Sequence, residues 1–474
     1  MRRVVAVAGA VVLLVAGYAT LDVYDVVPGV LTLANAPDPT PTTPTPTYSA
    51  TTTVAQPRDA DAGMPLAASG QQQPVPSVAG LQAATAGALA DPALAGKLGV
   101  TVRDAATGTH LLDVGPDTPL IPASNLKLLS GAAVAATFPV DATFTTRVVQ
   151  GADPGRVVLV AGGDTLLNPG PGDPHAVAGR AGLGDLVSGT ASALNAKGVT
   201  SVVASLDLTH APGPLLAPTW SPAFRPTGIT GAVASIGLSS QRVTPGHPGP
   251  ADPAAAVGAA FVAGLAAQGM KATLAAPAAA PEGASTLATV TSAPVVDQLG
   301  LALQDSDDAL TESLTRQAAY TKGTPPGFAE AAAFVRTTLG GLGVNLTGVS
   351  TADASGLSRE NVVPARVVAD VIALGQQQLP SFNHAMQEMA VAGLSGTLED
   401  RFAAPDTHTA AGLFRGKTGT LTGVNALGGT VVTADGRLLV VDIISNTDGP
   451  GRGTTAVRAA LDRFVAVLAS CGCR

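Results

Sequence analysis

Apolar runs separated by polar punctuation divide the chain into recognisable segments. Leu98-Gly99-Val100-Thr101-Val102-Arg103-Asp104 and His110-Leu111-Leu112-Asp113-Val114 flank an Ala-Thr-Gly-Thr stretch and predict a β-hairpin. After Pro122-Ala123-Ser124, the segment Leu126-Lys127-Leu128-Leu129 opens an Ala/Val-rich run to about Phe138, which predicts a buried helix. Ser306-Asp307-Asp308 opens another helical stretch, with Leu303, Leu310, Leu314 and Ala318 on one apolar stripe. A second hairpin is predicted where Asn425–Val432 and Arg437–Ile444 meet at Ala434-Asp435-Gly436, and Thr454–Ala469 reads as a helix packing on it. The two hairpins are expected to pair, so that one antiparallel sheet is closed from both ends of the chain.

The region between these parts has a different texture. Residues 141–286 alternate short strands, such as Ser201–Leu208 and an apolar Val157–Ala161, with helical patches such as Ala254–Gln268. The expected fold class is α+β, an antiparallel sheet flanked by helices. One domain is assembled from 79–140 and 287–474, and 141–286 forms an inserted domain within it.

The N-terminus is of another kind again. Arg2-Arg3 precedes an apolar Val4–Leu21 stretch, which reads either as a secretory signal or as an uncleaved membrane anchor within 1–27. Ala34-Asn35-Ala36 is similar to a cleavage site, although Pro37 directly after it would hinder cleavage. Both readings place the folded part outside the cytoplasm. Residues 28–78 are rich in Pro and Thr from Pro37 onward and read as an extended linker with nothing to bury.

Composition narrows the function classes. At 474 residues the chain is long enough for two or three domains, each with its own core. The net charge is −8, and no basic run occurs beyond Arg2-Arg3, which argues against nucleic-acid binding. The six histidines show no metal-ligand spacing, and no cofactor or metal is expected. Cys471 and Cys473 are the only cysteines; their position reads as an exposed tail, with a bridge left open.

Candidate chemistry rests on three short motifs in order: Ser124-Asn125-Leu126-Lys127, Ser306-Asp307-Asp308 and Lys417-Thr418-Gly419-Thr420. The chain has six lysines, and two of them lie in these motifs. At a helix start, Ser124 meets free N–H groups that favour a developing negative charge. Positions i and i+3 share one helix face, so the Lys127 amine can reach the Ser124 hydroxyl and take its proton. Burial favours the neutral amine that such a base requires. Ser306 is placed to pass a proton to a leaving group, and Asp308 to pair with Lys127. Lys417, Thr418 and Thr420 suit a substrate carboxylate, and Gly419 permits close backbone approach. The Ser124 and Thr420 N–H groups are candidates for an oxyanion hole.

S-x-x-K, an S-x-N variant and K-T-G together resemble the serine enzymes of the penicillin-binding and β-lactamase type. Further segments are similar to the D-alanyl-D-alanine carboxypeptidases/endopeptidases of peptidase family S13, the class C low-molecular-weight penicillin-binding proteins. These are Gly162-Gly163-Asp164, Asp353-Ala354-Ser355-Gly356-Leu357 and Gly393-Leu394-Ser395-Gly396-Thr397-Leu398. Roughly 180 residues separate Lys127 from Ser306, where that family carries an inserted domain; the insertion is shorter than the family's usual one, which implies that an extra nested domain is reduced or absent. The resemblance implies an acyl-enzyme on Ser124, peptidoglycan stem peptides ending in D-Ala-D-Ala as substrate, and acylation by β-lactams. One departure stands out: Asp308 occupies the family's Asn position. An ionised Asp only accepts hydrogen bonds, whereas Asn also donates, and an anion there opposes a general-base role for Lys127. Two rival readings follow, a serine β-lactamase and a catalytically weakened peptidoglycan-binding protein. Asp164-Thr165-Leu166-Leu167-Asn168 faintly imitates a β-lactamase deacylation loop, but its Gly-rich turn reads as structural.

Overall fold

The computed structural model describes residues 73–447 and 454–472. The apolar Val4–Leu21 stretch and all but the last residues of the expected linker lie outside these, as does Cys473. Among the described residues no helix is long and apolar enough to cross a membrane.

The chain enters through α1 (Val78–Leu89), whose first turn is capped by Ser77 accepting the Gly80 N–H at 3.0 Å. It then forms the expected hairpin of β1 (Lys97–Asp104) and β2 (His110–Val114). A 3₁₀ turn at Ala123–Asn125 leads into α2 (Leu126–Thr137), ten of whose residues are buried. That helix is surrounded because its Ala- and Gly-rich sides let neighbouring helices come close.

Residues 145–291 form a second sheet. Strands β3 (Thr145–Gln150) and β4 (Arg156–Val160) pair antiparallel; α3 (Leu183–Asn195), β5 (Ser201–Asp207), α4 (Pro253–Ala267) and β6 (Lys271–Leu274) follow. β4, β5 and β6 run parallel, as strands joined by helical crossovers do. Their apolar faces form a core with Leu186, Leu194, Phe261 and Leu265 of the two helices. The chain leaves by β7 (Thr286–Thr291), which pairs with β3 at Thr145↔Thr291. This exit strand runs past the 286 boundary read from the sequence, because its half-exposed Thr-Leu-Ala-Thr-Val-Thr gives little apolar alternation.

Five helices follow: α5 (Val295–Asp305), α6 (Asp308–Thr321), α7 (Phe328–Gly341), α8 (Ala365–Gln377) and α9 (Pro380–Gln387). Ser306 does not open a helix. It ends α5 in the left-handed region (φ 59°), and Asp307 caps α6 by accepting the Leu310 N–H at 3.0 Å. Leu303 therefore sits on the earlier helix, although it joins Leu310, Leu314 and Ala318 in one core.

Strands β8 (Phe414–Leu421), β9 (Val424–Val432) and β10 (Leu438–Asn446) complete the first sheet, in the order β2-β1-β10-β9-β8, all antiparallel. β1 lies along β10 from Lys97↔Asn446 to Asp104↔Leu439, so both ends of the chain do close one sheet. On one face α1 and α10 (Thr454–Ser470) pack against Val100, Val102, Val441 and Ile443. On the other, α8 packs against Val440 and Ile444, with α2 against α8 in the same core. This α+β architecture leaves β8 as an edge strand beside the turn that carries Ser124. Cys471, just past α10, is buried and disulfide-bonded, not part of an exposed tail.

Candidate active site

The three motifs converge between α2, the α5–α6 junction and β8. Ser124 is half-buried in the 3₁₀ turn, and Lys127, one turn into the helix, is fully buried. Lys127 Nζ lies 2.9 Å from Ser124 Oγ, 2.8 Å from the Ser355 carbonyl oxygen, and in direct contact with Asp308 Oδ1. Two of these three neighbours are obligate acceptors while Asp308 is ionised; Ser124 alone can also donate. Lys127 Nζ donates to all three, and the Ser124 contact is the one that reverses, hydroxyl to amine, when Lys127 acts as the base.

Asp308 sits in the first turn of α6, almost fully buried. Burial pushes its carboxyl up to about 6, against the pull of the adjacent Lys127. Lys417, on β8, is also fully buried and donates to the Thr418 carbonyl at 2.7 Å. Desolvation, then the neighbouring Lys127 charge, hold its amine well below the ordinary lysine range. Two buried amines thus flank one buried carboxylate, Lys127 in direct contact with it and Lys417 at longer range.

The turn that carries Ser124 is clamped from two sides. Gly419 of β8 lies against it, and a Cβ there would meet the Pro122 carbonyl oxygen at 2.7 Å. Gly356, at φ 92°, presses on the other side, where a Cβ would run into the Ala123 carbonyl. Ala123 itself is held at φ 45°, an uncommon backbone state for a residue with a side chain. Thr420 is exposed, and Arg458 of α10 donates to its Oγ1 at 3.0 Å. Thr418 donates to Thr397 Oγ1 at 2.9 Å. Ser306 lies at the helix junction between Asp305 and Asp307. Both carboxylates bind one guanidinium, that of Arg242 from the inserted region, at 2.9 and 3.0 Å.

Sequence reasoning missed a supporting layer. Glu312, one turn beyond Asp308, is buried and accepts the N–H groups of Ala354 (2.9 Å) and Ser355 (2.8 Å) on its Oε1. Burial first, and then the nearby Asp353, push it up to about 8. Asp353 accepts from the backbone of Gly356 and Ser358, from Asn361 Nδ2, and from Trp220 Nε1 at 2.8 Å. The sequence carries little signal for it, because Glu312 lies on the side of α6 away from the Leu310, Leu314 and Ala318 stripe. The Gly162-Gly163-Asp164 segment is structural in its contacts: the Gly163 carbonyl accepts from Gln317 Nε2 at 2.9 Å, and Asp164 accepts its own Leu166 N–H at 2.8 Å.

Comparison with known proteins agrees with this arrangement. Residues 81–251 and 248–468 match the D-Ala-D-Ala carboxypeptidase 3 (S13) family. Carboxypeptidase DacB of Mycolicibacterium smegmatis is 36% identical over 408 residues, 84% of this chain and 86% of that protein. A D-alanyl-D-alanine carboxypeptidase of an Actinomadura species is 29% identical over 76% of this chain and 80% of its own. Penicillin-binding protein 4 of Haemophilus influenzae superposes with a TM-score of 0.64 at 17% identity, covering 81% of this chain and 97% of that one, which shows a common fold. With both halves of the described chain matched and the relatives aligned over most of their length, this protein belongs to the D-Ala-D-Ala carboxypeptidase 3 (S13) family.

Proposed function

We propose that this chain is a serine D-Ala-D-Ala carboxypeptidase/endopeptidase acting on peptidoglycan stem peptides through an acyl-enzyme on Ser124. The observation that carries the reading is the desolvated Lys127 amine 2.9 Å from the Ser124 hydroxyl, with its remaining contacts on acceptors. Ser124 Oγ attacks the carbonyl of the penultimate D-Ala as its proton passes to Lys127. The tetrahedral oxyanion forms between the Ser124 and Thr420 N–H groups. The C–N bond then breaks, Ser306 relays a proton to the leaving amine, and water later releases the acyl group from Ser124.

The outer edge of β8 is bonded to Ala390 and Ala392 as far as Gly416, and its last residues, around Thr418 and Thr420, are where an extended peptide can pair. Lys417 is buried against its own strand, whereas the exposed Arg458 donates to the Thr420 hydroxyl at 3.0 Å. It suits the carboxylate of the leaving residue alongside Thr418 and Thr420. A β-lactam presents a similar carbonyl and carboxylate, and the Haemophilus protein has been solved with a β-lactam bound. The apolar segment after Arg2-Arg3 and the Pro/Thr-rich stretch support a location outside the cytoplasm, on the membrane or beyond it.

Intact-mass measurement of the full-length chain incubated with benzylpenicillin, beside Ser124→Ala, tests the reading. One penicillin added to the wild type and none to the variant is the expected result. A folded wild type that leaves the antibiotic intact and carries no adduct would overturn it; rapid hydrolysis of the antibiotic would instead indicate a β-lactamase.

A further inference from the structure

Beneath the Ser124 turn, one row of residues crosses the first sheet. Lys417, Gly428, Asp442, Thr101 and Asp113 stand directly opposite one another on β8, β9, β10, β1 and β2. Residues paired in this way project to one face. Asp442 occupies the centre and is fully buried. Asn125, the residue after Ser124, is fully buried too, and its Nδ2 donates to Asp442 Oδ1 at 2.7 Å.

That single bond leaves two buried acceptors without a hydrogen-bond partner, Asn125 Oδ1 and Asp442 Oδ2. They are the second halves of the same two planar groups. Among the described residues Asn125 is the one hydrogen-bond partner Asp442 has, and no charged group acts on it. Thr101 spends its hydroxyl proton on Asp113 Oδ1 at 2.6 Å, and Asp113 in turn contacts His110. Gly428 has no side chain, and a Cβ there would crowd both Asp442 Oδ1 and Asn125 Nδ2. Lys417 stands beyond that gap with its amine on the Thr418 carbonyl, and Lys127 turns toward Ser124 and Asp308. An isolated buried carboxylate with one neutral donor is costly, whereas a carboxylic acid and an amide offer complementary donor–acceptor edges.

We propose that Asp442 is a neutral carboxylic acid whose Oδ2 proton is donated to Asn125 Oδ1, closing a two-bond acid–amide ring that positions the Ser124 turn for acylation. The ring satisfies both orphaned oxygens at once and needs no counter-ion. It also accounts for glycine at 428, where any side chain would enter the space the ring fills. Burial pushes the Asp442 carboxyl well above its ordinary range, and only the Asn125 bond opposes that push. Asp442 is a positioning residue: it acts through Asn125 on the neighbouring Ser124. That part of the inference rests on Ser124 being the nucleophile; the protonation of Asp442 does not.

The test uses the full-length chain with Asp442→Asn, Asp442→Ala and Asn125→Ala. The infrared difference spectrum of wild type against Asp442→Asn at neutral pH should show the loss of a protonated-carboxyl C=O band. Loss of a carboxylate band instead overturns the proposal. With a fluorescent penicillin, Asp442→Asn should acylate at a rate close to wild type, because its amide can donate to Asn125 Oδ1 and accept from Asn125 Nδ2. Asp442→Ala and Asn125→Ala should lower the maximal acylation rate by about tenfold or more, with half-saturation unchanged, as expected for a misplaced nucleophile. An Asp442→Asn variant as slow as Asp442→Ala also overturns the proposal. Should the alanine variants fail to fold, the asparagine variant and the infrared band decide the matter. Should even wild type fail to acylate, the reading of Ser124 falls while the band still reports on Asp442.

Discussion

Glu312 holds Ser355 by its backbone N–H at 2.8 Å, and the carbonyl of that same residue receives Lys127 Nζ, also at 2.8 Å. A carboxyl on α6 thus fixes the height of a loop carbonyl, and that carbonyl fixes the amine facing the nucleophile. Both N–H bonds go to Oε1, and burial keeps this carboxyl protonated up to about pH 8.

The stability of the protein should therefore fall as pH rises through the range from about 4.5 to about 8. There the unfolded chain has released the Glu312 proton and the folded one still binds it. Glu312→Gln keeps the Oε1 acceptor and cannot titrate. Thermal unfolding at pH 5 and pH 8 should show a smaller loss of midpoint in the variant than in wild type. Equal losses would place the proton elsewhere.

Asp308→Asn removes the one anion between two buried amines. The carboxylate in direct contact with the Lys127 amine is replaced by an amide that can also donate, so acylation should rise about tenfold, the equivalent of about 1.4 kcal/mol. Stopped-flow acylation by a chromogenic β-lactam across the pH range reads this directly. A slower variant would mean that the carboxylate is required where it stands.

Arg458→Ala should raise KM for a peptide with a free C-terminal carboxylate by about tenfold, in the range of a charge-assisted hydrogen bond. The same peptide with an amidated C-terminus should bind wild type and variant alike. Parallel kinetics on the two peptides separate this effect from general damage; an equal change on both would remove Arg458 from carboxylate recognition.

Gly356→Ala drives a methyl group into the Ala123 carbonyl at a backbone angle of 92°. A loss of roughly 1–3 kcal/mol in stability is expected, with acylation falling further than stability because the displaced atoms adjoin Ser124. Chemical denaturation beside acylation rates would show it, and a variant with wild-type acylation would refute it.

The elements built from local patterns were legible in the sequence. The two hairpins, α2, α10 and the patches at Ser201–Leu208 and Ala254–Gln268 announced themselves through periodicity and turn residues. Ser306 was misread as a helix start because Ser and Asp suit caps at either end; only its positive φ shows that it closes α5. The partners of the motif residues were hidden for a different reason. Arg458 and Asp442 meet the motifs across large sequence separations, and nothing in their own neighbourhoods marks them. Asp442 in particular sits in an otherwise apolar strand, where a lone acid gives no sign of what faces it.

The inserted region leaves and re-enters through neighbouring strands, β3 and β7, so its ends behave like the two sides of a clasp. A module joined in that way can change length over evolution without rethreading its host. Here, though, the stretch between β5 and α4 reaches out of the module and grips the host: Trp220 holds Asp353, and Arg242 holds the aspartates on either side of Ser306. Excising the module at its clasp would leave the first sheet's topology intact and strip two of the fastenings that keep the reactive groups in register.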